Sequence, residues 1–98
     1  MPIEVRQTEA FAAWFRSMRD TRARVQVRID RLSLGNPGDV KPIGEGVSEL
    51  RIDHGPGYRV YYTRRRQVVY LLLIGGDKGT QRQDITKAKA LLQNLPKE

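Results

Sequence analysis

Apolar and polar residues alternate along two runs that flank a Gly-Pro-Gly turn, over residues 48–62. This pattern predicts a β-hairpin, because successive side chains of a strand point to opposite faces of the sheet. One face then carries the apolar residues Leu50, Ile52 and Val60. The opposite face carries Arg51, Arg59 and Tyr61. Two guanidinium groups and a phenol on one sheet face suit a phosphodiester better than a packed core.

The spacing of apolar residues before the hairpin predicts two helices. Thr8 can cap the first helix, and Asp20 or Thr21 can start the second, which ends at the Gly-Asn-Pro-Gly segment 35–38. The first apolar stripe is Phe11, Trp14, Phe15 and Met18. The second is Val25, Ile29 and Leu32. The aromatic stripe could be a base-stacking platform, but helical spacing favours core packing.

Three further strands and a last helix complete the predicted fold. Residues 3–6 and 40–43 are short strands, and residues 67–74 are almost continuously apolar, which is typical of a central strand buried on both faces. Thr80 and Gln83 would form a capping box for a last helix. Its apolar stripe is Ile85, Ala88, Leu92 and Leu95.

These elements predict the order β-α-α-β-β-β-α in a single α+β domain over residues 1–98. A mostly antiparallel sheet would carry the N-terminal helical hairpin on one face, with the C-terminal helix, and leave the other face for a ligand. The residues expected in the core are Trp14, Phe15, Ile29, Leu50, Ile52, Val60, Leu72 and Leu92.

Composition indicates a small domain without membrane or export signals. A chain of 98 residues allows one modest core. The longest apolar run, residues 68–74, is too short to span a bilayer, and the first residues lack the apolar segment of a signal peptide. With no cysteine, disulfides and thiolate chemistry are excluded. A cytoplasmic location is expected.

The chain is strongly basic, with 18 Lys and Arg residues against 11 Asp and Glu and a net charge of +7. Such a bias favours a polyanionic partner, either nucleic acid or an acidic protein, although a merely well-solvated surface could have the same composition. Arginine outnumbers lysine, which favours bidentate phosphate contacts. The arginines predicted to bind nucleic acid are Arg22, Arg24, Arg28, Arg64, Arg65, Arg66 and Arg82.

The hairpin and the segment after the apolar run contain the groups that RNA cleavage by the 2′-hydroxyl requires. Such cleavage needs a proton acceptor, cations for the charge on the phosphate and a proton donor for the leaving oxygen. The candidate cations are Arg51, Arg59 and Lys78. The candidate proton-transfer groups are His54 and Tyr61, which Asp77 or Glu49 could orient. No metal or cofactor is expected, since the chain has a single histidine and no cysteine.

Each candidate also has a purely structural interpretation. Arg51 could form an ion pair across the strands. His54, beside a Gly-Pro-Gly turn, is more typical of a solvent-facing turn residue, and Tyr58 and Tyr62 are more typical of packing than of base stacking. The Gly-Gly-Asp-Lys-Gly-Thr segment 75–80 could bind an anion or could be a flexible connection.

Three motifs carry a family resemblance: Glu-Leu-Arg-Ile at 49–52, His-Gly-Pro-Gly-Tyr-Arg-Val-Tyr-Tyr at 54–62, and the segment 72–85 with Gly-Gly-Asp-Lys at its centre. Together with residues 38–42, they resemble the RelE/ParE toxin superfamily. The most similar group within it is the HigB-like or phage Gp49-like group, often labelled "addiction module killer protein". The resemblance covers nearly the whole chain.

The resemblance implies a RelE-like fold and a type II toxin with a cognate antitoxin, often of the helix-turn-helix type. Many relatives cleave messenger RNA in the ribosomal A site with basic residues and no metal, so the ribosome and mRNA are expected partners. By position, Arg59 matches the family's arginine after the hairpin, and Lys78 lies where relatives often have a basic residue. The last helix lacks the tyrosine or histidine that some RelE-type members use.

The predicted function is therefore a toxin that cleaves mRNA on the ribosome. ParE-type members instead inhibit DNA gyrase on the same fold, because a fold alone does not determine an activity. The converging cations favour the nuclease, since a pure protein binder does not need them. A third interpretation is an inactive module that binds protein or nucleic acid.

Overall fold

The computed structural model describes residues 3–66 and 69–96. Within these ranges the chain forms five strands and three helices. In chain order they are β1 (Glu4–Gln7), α1 (Glu9–Ser17), α2 (Arg22–Ser33), β2 (Val40–Gly44), β3 (Val47–Ile52), β4 (Tyr58–Arg65), β5 (Val69–Asp77) and α3 (Gln81–Gln93), with a 3₁₀ turn (Lys78–Thr80) before α3. Gln67 and Val68, the start of the predicted central strand, lie outside the described residues. No helix in the described ranges is long and apolar enough to cross a membrane.

The strands form one sheet in the order β1-β5-β4-β3-β2. β1 runs parallel to β5, and the other neighbouring strands are antiparallel. The predicted α+β class is confirmed. The predicted order β-α-α-β-β-β-α is one strand short, because the strand at 40–43, the two hairpin strands and the strand from residue 67 are four strands, and four strands follow α2 in the structure. Arg66, with a φ of +57°, takes the left-handed conformation that ends β4.

Helices cover both faces of the sheet, so the expectation that one face stays open is wrong. α1 and α2 pack on one face, over a core that includes Phe11, Val25, Leu32, Leu50, Val60 and Leu72. α3 packs on the other face, over Val47, Tyr61, Leu73 and Ala88. The physical reason lies in β5, where Leu72 and Leu73 are both buried but belong to different cores. An uncovered face would leave one of them in water.

The predicted register of the hairpin is confirmed. Leu50 pairs with Val60 across β3 and β4, and Leu50 is fully buried while the adjacent Arg51 stays partly exposed. The expected core residues that are buried are Ile29, Leu50, Ile52, Val60 and Leu72. The expected core residues that are only half-buried are Trp14, Phe15 and Leu92, which pack against the margins of the two cores.

The start of α1 is tied to the centre of the sheet by one threonine. Thr8 Oγ1 accepts a hydrogen bond from the N–H of Phe11 at 3.0 Å, as its predicted cap position requires. The same hydroxyl donates to the carbonyl oxygen of Leu73 at 2.6 Å. This bond fixes the junction of β1 and α1 against β5.

The capping box at the C-terminal end of β5 lies one turn earlier than predicted. Asp77 accepts a hydrogen bond from the N–H of Thr80, and Thr80 Oγ1 accepts one from the N–H of Asp77. The box predicted at Thr80 and Gln83 is wrong, because a 3₁₀ turn separates β5 from α3. That turn sets the position of Lys78.

Candidate active site

Antiparallel pairing of β3 and β4 brings two arginines together on the α3 side of the sheet. Arg51 lies directly opposite Arg59, and Glu49 lies opposite Tyr61. Like charges directly opposite each other are destabilising, so the two arginines need a nearby anion. Glu49 is two residues before Arg51 and therefore shares its face of the sheet.

Glu49 is fully buried and holds the two arginines together. Its Oε1 accepts a hydrogen bond from Arg51 Nε at 2.8 Å, and its Oε2 accepts one from Gln81 Nε2 at 2.6 Å. Arg59 Nε lies 3.9 Å from the same Oε2, close enough for an ion pair but too far for a hydrogen bond. The buried carboxylate therefore links β3, β4 and the first residue of α3.

The environment of Glu49 keeps its carboxyl group ionised. Burial by itself raises the pKa of Glu49, but the hydrogen bonds from Arg51 and Gln81 and the positive charges of Arg51 and Arg59 outweigh it. The net result is a pKa below the usual value. A permanent anion thus lies behind the two guanidinium groups at neutral pH.

Arg59 is held firmly but is incompletely hydrogen-bonded. Its side chain is 13% exposed, and its Nη1 donates to the carbonyl oxygen of Tyr58 at 3.1 Å. Its Nε is buried without a hydrogen-bond partner among the described residues. Because Arg59 is largely buried, is held beside Glu49 and Tyr58 and also lines the pocket described next, its guanidinium group is fixed in place for an added anion.

The two arginines and Lys78 open into one pocket of about 320 Å³. The residues lining it are Asp39, Arg51, Asp53, Gly55, Pro56, Gly57, Arg59 and Lys78. The structure thus brings together the three cations identified from the sequence. Two carboxylates, Asp39 and Asp53, share the pocket with them.

The turn between β3 and β4 places Lys78 beside Arg59. The N–H of Lys78 donates to the carbonyl oxygen of Gly57 at 2.7 Å. Gly57 has a φ of +82°, and a Cβ atom there would lie 3.6 Å from both Arg59 Nη1 and Lys78 Cβ. Both distances are ordinary contacts, so it is the left-handed backbone that favours glycine at this position.

Tyr61 does not line this pocket. Its side chain is fully buried beneath α3, and its Oη has no hydrogen-bond partner among the described residues. Burial and the negative charge of Glu49 raise the pKa of the phenol above its usual value. The position favours a core role over the proton transfer predicted from the sequence.

His54 lies on the other side of the hairpin turn. It lines a separate groove of about 350 Å³ with Arg24, Arg28 and Arg31 of the α2 region. The structure therefore does not bring His54 together with the cations of the pocket, although it is only three residues from Arg51 in the sequence.

The arginines predicted to bind nucleic acid are spread over three regions of the molecule. Two in the α2 region brace loops: Arg22 donates to the carbonyl oxygen of Met18, and Arg28 donates to those of Pro37 and Arg51. Arg24 is exposed on α2, and Arg82 is exposed on α3. The third group lies at the end of β4. Arg64 lies over the ring of Tyr70, Arg65 donates to the carbonyl oxygen of Pro96, and Arg66 follows at the turn.

Sequence reasoning missed three residues of the site. Asp53 continues the alternation of Glu49 and Arg51, so its face was predictable while its role was not. Asp39 and Gln81 reach the site through the tertiary fold, from the loop before β2 and from the start of α3. No local pattern marks either of them.

Comparison with known proteins identifies a family whose match to this chain includes the site. Residues 13–93 match the family model described as "Phage derived protein Gp49-like (DUF891)". The matched segment contains Glu49, Arg51, Arg59, Lys78 and Gln81. The chain belongs to the Gp49-like family. This result confirms the resemblance to the phage Gp49-like group. The Gp49-like chain is also 45% identical over 97 residues to a Haemophilus influenzae protein named "Uncharacterized protein", covering 97% of this chain and 98% of that protein.

The Gp49-like pocket offers cations and carboxylates as its chemical groups. In the described ranges, no group of three or more His, Cys, Asp or Glu side chains could hold a metal ion. The guanidinium groups can bind and neutralise a phosphate, the ammonium group of Lys78 can donate a proton, and the two aspartates can accept one.

Proposed function

We propose that this Gp49-like protein is the toxin of a type II toxin–antitoxin pair and that it arrests translation by cleaving messenger RNA on the ribosome. The observation that carries the proposal is the convergence of Arg51, Arg59 and Lys78 on one pocket. Family membership supports the toxin assignment, and the resemblance to RelE-type toxins supports the ribosome as the place of action.

In the proposed reaction, the 2′-oxygen of one nucleotide attacks the adjacent phosphorus and the bond to the 5′-oxygen breaks. The products are a 2′,3′-cyclic phosphate and a free 5′-hydroxyl end. Negative charge increases on the phosphate oxygens in the transition state, and cations that are already fixed in place stabilise it without reorganisation. Arg59 is the principal candidate, because its guanidinium group is held by Tyr58 and Glu49 while it lines the pocket.

The proton transfers use the remaining groups of the pocket. The proton of the 2′-hydroxyl passes to the carboxylate of Asp39 or Asp53, and the leaving 5′-oxygen takes a proton from the ammonium group of Lys78. All three side chains line the same cavity. The protein itself therefore supplies both the group that accepts the first proton and the group that donates the second.

The charge of the pocket is consistent with a requirement for the ribosome. Three cations face two carboxylates there, and the ionised Glu49 lies behind the two arginines, so the site has no net positive charge and holds RNA only weakly by charge alone. A substrate that binds weakly by charge alone needs to be presented in the correct geometry, because orientation contributes much of the rate of such a reaction.

The decisive experiment is single-turnover cleavage of mRNA on programmed ribosomes, which separates binding from chemistry. Arg59→Ala should slow cleavage about 100-fold or more, as expected for the loss of one transition-state donor. Arg59→Lys should recover only part of the rate, because an ammonium group lacks the planar fork of guanidinium. The matched control is Arg16→Ala, an exposed arginine of α1 that pairs with Glu9 and should cleave at the wild-type rate.

Three outcomes would contradict the proposal. Wild-type cleavage by Arg59→Ala at saturation would mean that the pocket is not the catalytic centre. Double-strand DNA breaks with intact message in cells expressing the protein would favour gyrase inhibition instead. Normal growth of such cells, with the protein folded and abundant, would favour an inactive binding module.

A further inference from the structure

The solvent-facing side of α2 combines arginines with exposed apolar side chains. Arg24, Val27 and Arg31 belong to α2, and Leu34 is the residue that caps its C-terminal end; their spacings of three, four and three residues place all four on one side of the helix. That face is turned away from the buried residues of α2. Val27 is 48% exposed and Leu34 is 69% exposed, and they are the large apolar residues that the described part of the chain leaves exposed.

A groove runs beside this face. It has a volume of about 350 Å³ and lies between α2 and the turn that follows β3. Val27 and Ile52 give the groove its apolar lining, and its charged lining has three arginines against one carboxylate, namely Arg24, Arg28, Arg31 and Asp53. The groove is thus suited to an apolar side chain whose neighbours are negatively charged.

We propose that the α2 stripe, defined as Arg24, Val27, Arg31 and Leu34, binds an acidic amphipathic helix of a partner protein. Val27 and Leu34 are seven residues apart and occupy the same position in successive heptads. Arg24 and Arg31 occupy the flanking position that forms ion pairs with the partner when two helices pack together. The proposal rests on the proposed function in one respect, since the partner is the antitoxin that neutralises the toxin.

The size of the α2 stripe sets the length of the partner segment. From Arg24 to Leu34 the helix rises about 15 Å, so about three turns of a partner helix can contact it. Carboxylates on that helix would meet Arg24 and Arg31, and its apolar residues would cover Val27 and Leu34 and enter the groove.

Other occupants fit the α2 stripe less well. RNA phosphates would satisfy the two arginines but would leave Val27 and Leu34 in water. A second copy of this chain would place arginine opposite arginine, on a domain that already carries a net charge of +7. Only an acidic partner with its own apolar face matches both components of the stripe.

The test uses a synthetic peptide of about three heptads, with Leu at the seam positions and Glu at the flanking positions. Its binding to the full chain is measured by fluorescence anisotropy, without ribosomes and without any readout of toxicity. One control peptide has Lys in place of Glu, and a second keeps Glu but has Ser at the seam. Only the Glu/Leu peptide should bind well, and its affinity should fall with added salt.

Variants of the protein identify the surface. Val27→Ser combined with Leu34→Ser, and separately Arg24→Glu combined with Arg31→Glu, should each weaken peptide binding about tenfold or more. Val27→Ile with Leu34→Met should bind like the wild type, because it keeps the apolar area. The matched charge control is Lys41→Glu with Lys87→Glu, two exposed lysines outside α2, which should change affinity less than about threefold.

Each other outcome overturns the proposal. No binding of the Glu/Leu peptide, or binding that the stripe variants do not weaken, would show that the α2 stripe is not a helix-docking surface. Loss of binding in the arginine variant alone would indicate a simple polyanion surface, to which RNA would bind equally well. None of these results depends on whether the pocket cleaves RNA, so failure here and failure of the nuclease proposal are distinguishable.

Discussion

At the scale of single residues, Glu49 is the group on which the candidate site depends. Glu49→Gln keeps the shape of the side chain but removes the charge that faces Arg51 and Arg59. We expect the free energy of unfolding to fall by about 1–3 kcal/mol. This loss of stability should be smaller than the loss from breaking a fully buried ion pair, because Arg51 is 35% exposed and can turn toward water. Urea unfolding at pH 7 measures the change.

A matched control exists for this substitution. Glu45 pairs with Lys89 at 3.3 Å on the surface, and Glu45→Gln should cost less than about 1 kcal/mol. The pH dependence gives a second check. Because the pKa of Glu49 is lowered in the folded protein, the stability that this carboxylate contributes is present above the pKa of the unfolded chain. It is lost as the pH falls through the folded pKa. The difference between wild type and Glu49→Gln should therefore shrink on acidification, and a constant difference would contradict the ion-pair explanation.

Tyr61 provides a test that separates a core role from a catalytic one. Its Oη is buried and lacks a hydrogen-bond partner among the described residues. Tyr61→Phe should therefore leave the stability unchanged or raise it by about 1 kcal/mol, because it removes an unsatisfied polar group. Cleavage should proceed at the wild-type rate. A loss of cleavage without a loss of stability would restore Tyr61 as a proton-transfer group.

The residue scale also shows what local pattern can and cannot predict. Alternation along the hairpin predicted that Arg51 and Arg59 share a face, because the two-residue period of a strand is a local property. The partnership of Glu49 with Gln81 joins residues 32 positions apart and depends on how α3 crosses the sheet. The place of His54 in a separate groove was not predictable for a related reason, because a turn can direct a side chain to either side.

At the scale of elements, the end of β5 is where α1 and α3 approach the sheet most closely. A Cβ atom on Gly75 would lie 2.2 Å from Trp14 Cε3, and one on Gly76 would lie 1.8 Å from Asp84 Oδ2. These two glycines therefore set how near a helix can pack on each face of the sheet.

Gly75→Ala should move α1 away from the sheet and lower the free energy of unfolding by about 1–3 kcal/mol, as overpacking does. Trp14 is the only tryptophan in the chain, so its fluorescence should report the displacement directly. Gly79→Ala, whose Cβ would lie 3.1 Å from Asp77 Oδ1, is the control with a smaller expected cost. Unchanged tryptophan fluorescence in Gly75→Ala would contradict this packing explanation.

The side of the sheet on which α3 packs was the main error of prediction at this scale. A central strand that is apolar on both faces requires cover on both faces, so the pattern of β5 already argued against an open face. An amphipathic helix such as α3 has no local feature that selects a face. The choice follows from Leu73 and Tyr61, which are buried on the side opposite α1 and α2.

At the scale of the whole molecule, the net charge of +7 predicts binding to single-stranded RNA that depends strongly on salt. For an unstructured oligonucleotide, the logarithm of the association constant should fall linearly with the logarithm of the salt concentration. Arg64→Ala should reduce that slope by about 0.7 if Arg64 contacts one phosphate. Filter binding between low and physiological salt measures it, with Arg16→Ala as the control. An unchanged slope would exclude Arg64 from the phosphate contacts.

The parallel pairing of β1 with β5 has a consequence for the way the chain is made. Thr8 and Leu73 are joined by a hydrogen bond although they are 65 residues apart in the sequence. β1 must therefore wait for the synthesis of β5 before it can pair in the sheet, and contacts of this separation form slowly. Lys78 and Gln81 follow β5 along the chain, so the pocket is assembled only after the sheet. A nascent chain therefore lacks the complete pocket until synthesis has passed the start of α3.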